Sequence, residues 1–137
     1  MIYLLRKFFL FLISLFLFNN SYAKDSENIH MLLEKGLVVI ETYSEKAPKT
    51  VARVKELINK GFYDGLTFHR VISGFMAQGG DPNGNGTGGS GKNIQAEFND
   101  IKHERGIVSM ARSNDPDSAD SQFFICYDSH PFLDGKY

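Results

Sequence analysis

Several residue types that carry enzyme chemistry occur in the chain, but their spacing does not form the usual sites. Residues Gly86–Lys92 fit most of the phosphate-binding pattern G-x-x-x-x-G-K-[ST], yet Asn93 stands where the pattern needs a hydroxyl to ligate magnesium. No apolar strand leads directly into this segment, so we interpret it as a structural loop. Asp128, Ser129 and His130 are the residue types of a catalytic triad, but a triad is assembled in space and chain neighbours rarely form one.

The histidines and the single cysteine do not indicate a metal centre. His30, His69, His103 and His130 lie far apart, without the spacing typical of metal ligands. Cys126 continues an apolar run and is interpreted as a packed core thiol. The sequence therefore predicts neither a metal site nor a nucleophilic hydrolase.

A different constellation consists of single polar side chains inside apolar segments. The two-residue period of a strand places Gln122 with Phe124 on one face, and Met76 with Gln78 on one face of another strand. Together with Arg70 they could form an apolar slot with hydrogen-bonding groups at its rim. The alternative is that the apolar members are ordinary core residues and Arg70 is a solvated strand end, and periodicity alone favours this alternative.

The hydrophobic pattern predicts the elements that position these residues. An amphipathic helix is expected over Pro48–Lys60, since proline suits a first helical turn and Gly61 suits a left-handed stop. Apolar, β-branched runs predict strands at Ile29–Leu33, Leu37–Tyr43, Leu66–Ile72, Phe75–Gly79, Gly106–Ala111 and Ser121–Tyr127. Residues 79–91 include 7 glycines and predict a long loop. Strands in both halves favour a closed or sandwiched antiparallel sheet.

Composition narrows the class of protein. The 137 residues are enough for one domain, and 42% hydrophobic with 23% charged residues excludes a collagen-like, coiled-coil or wholly disordered chain. The formal net charge of -1 offers no basic excess for binding nucleic acid non-specifically. A single cysteine excludes an internal disulfide, so the stability of the domain must come from packing.

The N-terminal segment Met1–Ala23 has the layout of a cleaved secretory signal peptide. Arg6 and Lys7 precede an apolar run at Phe8–Phe18, and the small residues Ser21 and Ala23 suit a cleavage site after Ala23. A membrane-spanning helix would need roughly 20 apolar residues, which favours a signal peptide over an anchor. Its removal would leave residues 24–137 as the mature domain.

Longer motifs are similar to those of the cyclophilin family of peptidyl-prolyl cis-trans isomerases, in the family's order, over Ile29 to Tyr137. These motifs are Phe68–Ile72, Gly74–Asp81, Gly86–Gly89, Val108–Arg112 and Ser121–Ile125. The resemblance implies an eight-stranded antiparallel β-barrel capped by helices. Family members continue with further strands and a helix, so residues 24–137 would correspond to a C-terminally truncated isomerase domain.

The resemblance also implies the activity and its residues. The chain would catalyse cis/trans isomerisation of Xaa–Pro bonds and assist protein folding, without metal or cofactor, and Arg70 would supply the catalytic guanidinium. The implied substrate-binding residues are Phe75, Met76, Gln78, Ala111, Arg112, Gln122, Phe124, Phe132, Leu133 and Tyr137. Three positions depart from the family's pattern. Many eukaryotic members carry tryptophan, which contacts the inhibitor cyclosporin, at Phe132 and a pocket histidine at Tyr137. Asparagine is common at Arg112, where the resemblance implies that the backbone makes the contact.

The expected partners are proline-containing polypeptides, such as unfolded or nascent exported proteins, rather than nucleic acid. The domain is expected to be a monomer exported to the periplasm, with membrane contact only if the signal segment is retained. Two alternatives remain open. One is a chaperone module that binds proline peptides with little turnover, which a protease-coupled isomerisation assay would distinguish. The other is a scaffold tethered to the membrane by Met1–Ala23, which the N-terminal residue of the exported protein would decide.

Overall fold

The computed structural model describes residues 28–137, so the expected signal peptide at Met1–Ala23 lies outside the described residues. The described chain has one α-helix and six strands. In chain order these are β1 (Ile29–Leu33), β2 (Gly36–Ile40), α1 (Pro48–Asn59), β3 (Arg70–Ile72), β4 (Met76–Gly79), β5 (Val108–Met110) and β6 (Phe123–Cys126). Short 3₁₀ turns occur at Pro116–Ser118 and Pro131–Leu133.

The strands form two antiparallel sheets. One is the β1–β2 hairpin, and the other has the strand order β3-β4-β6-β5. Within residues 28–137 the sheets do not close into the expected eight-stranded barrel, and one α-helix is present where capping helices were expected. What is observed is a mainly β fold with one helix.

The predicted strands are correct in number and order, and Ile29–Leu33 has the predicted bounds, but the other five predictions extend beyond the observed strands. The predicted strand Leu66–Ile72 is a strand only from Arg70 onward, and the predicted strand Ser121–Tyr127 is one only over Phe123–Cys126. A strand needs ladder hydrogen bonds to a partner, and an apolar run by itself does not supply the partner. Strand ends are therefore poorly defined by composition.

Helix α1 begins at Pro48 as predicted and ends at Asn59, one residue before the predicted end at Lys60. Pro48 occupies the first turn, and Gly61 adopts φ 66°, the left-handed conformation that stops the helix. No side chain at the N-cap position, Ala47, closes the first turn. Instead the carboxylate of Glu97 accepts the amides of Lys49 and Thr50 at 2.9 and 2.8 Å. Burial opposes ionisation of Glu97, but these amide donors outweigh it and lower its pKa.

The glycine-rich loop is folded around Asp81, a carboxylate that is 1% exposed. Asp81 accepts the backbone amides of Asn83, Asn85 and Gly86. Burial opposes its ionisation, yet these amide donors leave its pKa lowered. A Cβ atom at Gly88 would clash with Asp81 Oδ1, so only glycine fits there. The loop is therefore ordered and lies beside β6. Its hydrogen bonds to Asp81 account for its conformation without a phosphate-binding role.

The core next to the site consists of Met76, Phe124, Cys126 and Leu133. Cys126 is 1% exposed, which confirms the prediction of a packed thiol, and burial raises its pKa. An apolar cavity of about 1060 Å³ lies between the β1–β2 hairpin, α1 and β5, and its lining also includes His103, Arg112 and Tyr137. Among residues 28–137 no helix combines the length and hydropathy needed to cross a membrane.

Candidate active site

The first feature of the site is a cross-strand pair on the β3–β4 hairpin. Arg70 in β3 lies opposite Gln78 in β4, so the two side chains share one face of the sheet. The guanidinium Nη1 of Arg70 donates to Gln78 Oε1 at 3.1 Å, and the Arg70 side chain is exposed. This places a fixed cation at the edge of the sheet.

A second glutamine continues the hydrogen-bond chain to the glycine-rich loop. Gln78 Nε2 donates to Gln122 Oε1 at 2.9 Å, and Gln122 Nε2 donates to the carbonyl oxygens of Gly86 and Gly88 at 3.1 and 2.8 Å. Carbonyl oxygens only accept, so the Gln122 amide must turn its NH₂ toward the loop and its oxygen toward Gln78. Gln78 must in turn direct its own oxygen at Arg70. The loop carbonyls thus determine how the arginine is held.

An apolar surface adjoins this polar chain. Phe124 in β6 lies opposite Gln78, and Met76 lies two residues from Gln78 on the same face. Met76, Phe124 and Leu133 are buried, with Phe75, Ala111 and Tyr137 packed against them. The structure therefore brings the expected proline-pocket residues together, and their role in substrate binding stays a prediction.

His103 supports this surface from behind. Its ring stacks on Phe124, with centroids 6.1 Å apart and an interplanar angle of 15°. Nδ1 is 3.1 Å from Asp134 Oδ1 and Nε2 is 3.2 Å from Ser109 Oγ, so the ring orientation is fixed at both nitrogens. Asp134 also accepts the backbone amide of His103 at 2.9 Å, and this bond, together with the other donors around it, outweighs burial and lowers the pKa of Asp134.

His130 fixes Phe75 in a similar way. Its Nε2 donates to the carbonyl oxygen of Phe75 at 2.9 Å, and the two rings meet edge to face at 4.8 Å. Sequence reasoning missed both supporting histidines because their partners, Asp134 and Phe75, are 31 and 55 residues away in the chain. No local spacing could have indicated them.

Two predicted site residues lie apart from the buried cluster. Phe132 is 60% exposed and contacts the rings of Phe75 and His130, with centroids 5.9 and 5.7 Å away. Arg112 points its guanidinium at the ring of Tyr137, with its central carbon 4.4 Å from the ring centroid. Within residues 28–137 no cluster of three metal-ligating side chains occurs.

Comparison with known proteins decides the family. The family model described as cyclophilin type peptidyl-prolyl cis-trans isomerase/CLD matches residues 28–137. The chain belongs to the cyclophilin family of peptidyl-prolyl cis-trans isomerases. This confirms the family and the isomerase activity that the sequence motifs implied.

Known cyclophilins resemble this one in sequence and structure. A peptidyl-prolyl cis-trans isomerase of Synechococcus elongatus is 52% identical over 104 residues, which cover 76% of this chain and 71% of the relative. Peptidyl-prolyl cis-trans isomerase B of Bacillus subtilis is 51% identical over 111 residues, covering 79% and 77%. The crystal structure of a Cryptosporidium parvum cyclophilin in the presence of the dipeptide Ala-Pro matches with a TM-score of 0.77 and 36% identity, covering 81% of this chain and 74% of that one.

Proposed function

We propose that Arg70 is the catalytic group of this isomerase and that the proline ring of the substrate sits on the apolar surface of Met76, Phe124 and Leu133. The observation that carries the proposal is the position of Arg70, exposed at the sheet edge and held by Gln78 at 3.1 Å beside that surface. The crystal structure of the similar C. parvum protein, determined in the presence of the dipeptide Ala-Pro, agrees with a proline ligand.

The chemistry requires no covalent step. An Xaa–Pro bond rotates over a barrier of roughly 18–20 kcal/mol because amide resonance resists twisting. Twisting localises the lone pair on the prolyl nitrogen, and a guanidinium N–H can donate to it there. That hydrogen bond is strong only in the twisted state, so it lowers the barrier rather than merely binding substrate.

The hydrogen-bond chain gives its members different tasks. Arginine has five N–H donors, and among the described residues Arg70 bonds to Gln78 alone, which leaves donors for the prolyl nitrogen. Gln122 uses its amide on Gly86, Gly88 and Gln78, so it orients the chain rather than offering a donor. Gln78 gives one N–H to Gln122 and retains a second for a substrate carbonyl.

The backbone after β5 is the place we assign to the substrate chain. The Ala111 amide is occupied by the carbonyl oxygen of Gln122 at 2.9 Å. The carbonyl oxygen of Ala111 and the backbone of Arg112 are therefore the groups that would contact the substrate chain. A polypeptide laid here would have its proline on Phe124 and its preceding carbonyl free to rotate.

An assay with much less protein than peptide distinguishes catalysis from binding. We expect the full-length protein, at about one-hundredth of the peptide concentration, to accelerate exchange between the cis and trans signals of an Ala-Pro peptide in NMR. A module that only binds proline peptides would shift those signals in proportion to the protein added and leave their exchange rate unchanged. That result would favour the chaperone alternative.

We further propose that the six strands belong to an eight-stranded antiparallel barrel. Support comes from β1 and β2, where Leu32 is 82% and Val39 is 53% exposed beside the apolar cavity, although such surface is normally covered. Slow hydrogen exchange at the β1 and β2 amides of the full-length protein would support closure. Exchange at the rate of an open edge would contradict it.

Export to the periplasm is also a proposal. It rests on Arg6, Lys7 and the apolar run Phe8–Phe18, and it makes unfolded or nascent exported proteins the expected substrates. Sequencing the N-terminus of the protein recovered from the periplasmic fraction tests it. A start at Lys24 supports cleavage after Ala23, whereas an intact Met1 would favour the tethered scaffold.

A further inference from the structure

We propose that Arg112 is a positioning residue that holds the ring of Tyr137 against the proline pocket and thereby sets how tightly the pocket grips proline. This inference deepens the proposed function, since it concerns the wall of the same pocket. It differs from the expectation that Arg112 contributes through its backbone alone.

The guanidinium of Arg112 ties together two segments that are distant in sequence. Nε and Nη2 both donate to the carbonyl oxygen of Lys136, at 3.3 and 2.9 Å. Nη1 donates to the carbonyl oxygens of Ser113 and Asn114, at 2.8 and 3.3 Å. The loop after β5 is thus fastened to the backbone that immediately precedes Tyr137.

The same guanidinium covers the face of the Tyr137 ring. Its central carbon lies 4.4 Å from the ring centroid, a cation–π geometry. On another side, Tyr137 meets Phe124 edge to face, with centroids 6.0 Å apart at 81°, and it packs against the buried cluster. The ring is therefore held between a cation and the floor of the pocket.

Only arginine can make both sets of contacts. Its planar fork donates in the plane to carbonyl oxygens while its face stacks on an aromatic ring. A lysine at position 112 would keep a positive charge near Tyr137 but lose the paired donors to Lys136. We therefore expect Arg112→Lys to rescue the function of Arg112 only in part.

The kinetic signature follows from where the ring lies. A pocket wall grips the proline ring in the ground state and in the twisted state alike, so loosening it weakens binding without removing transition-state stabilisation. We expect Arg112→Gln to raise KM by about five- to twentyfold, with kcat within about twofold of wild type. Substitution of the catalytic group Arg70 should do the opposite, lowering kcat while KM changes little.

A double-mutant cycle in the full-length protein tests the inference. KM, kcat and the unfolding midpoint are measured for Arg112→Gln, Tyr137→Leu and the double variant, and the dissociation constant of the Ala-Pro peptide is measured by NMR titration. If Arg112 acts through Tyr137, the double variant should have the KM of Tyr137→Leu, since the ring that Arg112 holds is then absent. Arg105→Gln is the matched control, because Arg105 is exposed and also donates to a backbone carbonyl, that of Tyr127 at 3.0 Å.

The inference would be overturned if the increases in KM of the two single variants multiplied in the double variant. It would also be overturned if Arg112→Gln lowered kcat or the unfolding midpoint and left KM unchanged. The peptide dissociation constant separates this inference from the proposed catalysis. If Arg70 proves not to be catalytic, the effect of Arg112→Gln on peptide binding still confirms or refutes the role of Arg112.

Discussion

Replacing Arg70 with alanine should abolish most of the isomerase activity and leave the fold intact. The Arg70 side chain is exposed and makes one hydrogen bond, to Gln78 at 3.1 Å. An exposed bond of this kind contributes on the order of 1 kcal/mol or less to stability, so the unfolding midpoint should barely move. In the twisted transition state, by contrast, the guanidinium is a preorganised donor, and losing one such donor costs about 2.7–4 kcal/mol.

The assay is kcat/KM on an Ala-Pro peptide, measured by protease-coupled isomerisation with the full-length protein. We expect Arg70→Ala to reduce kcat/KM by roughly 10²–10³, mainly through kcat. Arg70→Lys should recover little of this loss, because a single ammonium lacks the planar fork that bonds to Gln78 and the prolyl nitrogen together.

Arg105→Ala provides the control for a lost surface arginine. Arg105 is likewise exposed and donates one hydrogen bond of 3.0 Å, to the carbonyl oxygen of Tyr127. It should retain full activity. If Arg70→Ala folds normally and keeps most of its activity, or if Arg105→Ala loses as much, the catalytic role assigned to Arg70 is wrong.

Three further predictions concern the surroundings of the site. The pKa of Asp134 is lowered from 3.8 chiefly by the amide of His103, so its stabilising effect is complete above that pH and is lost as pH falls through the lowered value. As the pH falls, the free energy of unfolding should therefore decrease less steeply in Asp134→Asn than in the wild type. Equal slopes of the two proteins below pH 4 would contradict this. Gly88→Ala should destabilise the protein by about 1–3 kcal/mol, because the new Cβ would clash with Asp81 Oδ1; an unchanged unfolding midpoint would refute the close contact. Phe132→Trp should tighten cyclosporin binding roughly two- to tenfold, since the exposed ring would gain contact area and an N–H donor, and an unchanged dissociation constant would count against a ligand groove beside Phe75.

Local features of this protein could be predicted from the sequence because they depend on neighbours in the chain. Helix α1 follows from Pro48, a helical apolar face and Gly61, and the order of the six strands follows from their apolar runs. The two-residue period correctly places Met76 and Gln78 on one face of β4. The motifs around Arg70 and Gln122 were long enough to indicate the family.

The register between strands and the contacts of single side chains could be decided only by the tertiary structure. Gln78 bonds to Gln122 across 44 residues, and His103 bonds to Asp134 across 31. Neither pairing has a local signature, because hydrogen bonds depend on distance and direction in space, whereas periodicity reports only which face a residue occupies. Arg112 shows the same limit. The family resemblance implied a backbone contact at this position, whereas the cation–π contact of its guanidinium with Tyr137 depends on tertiary packing.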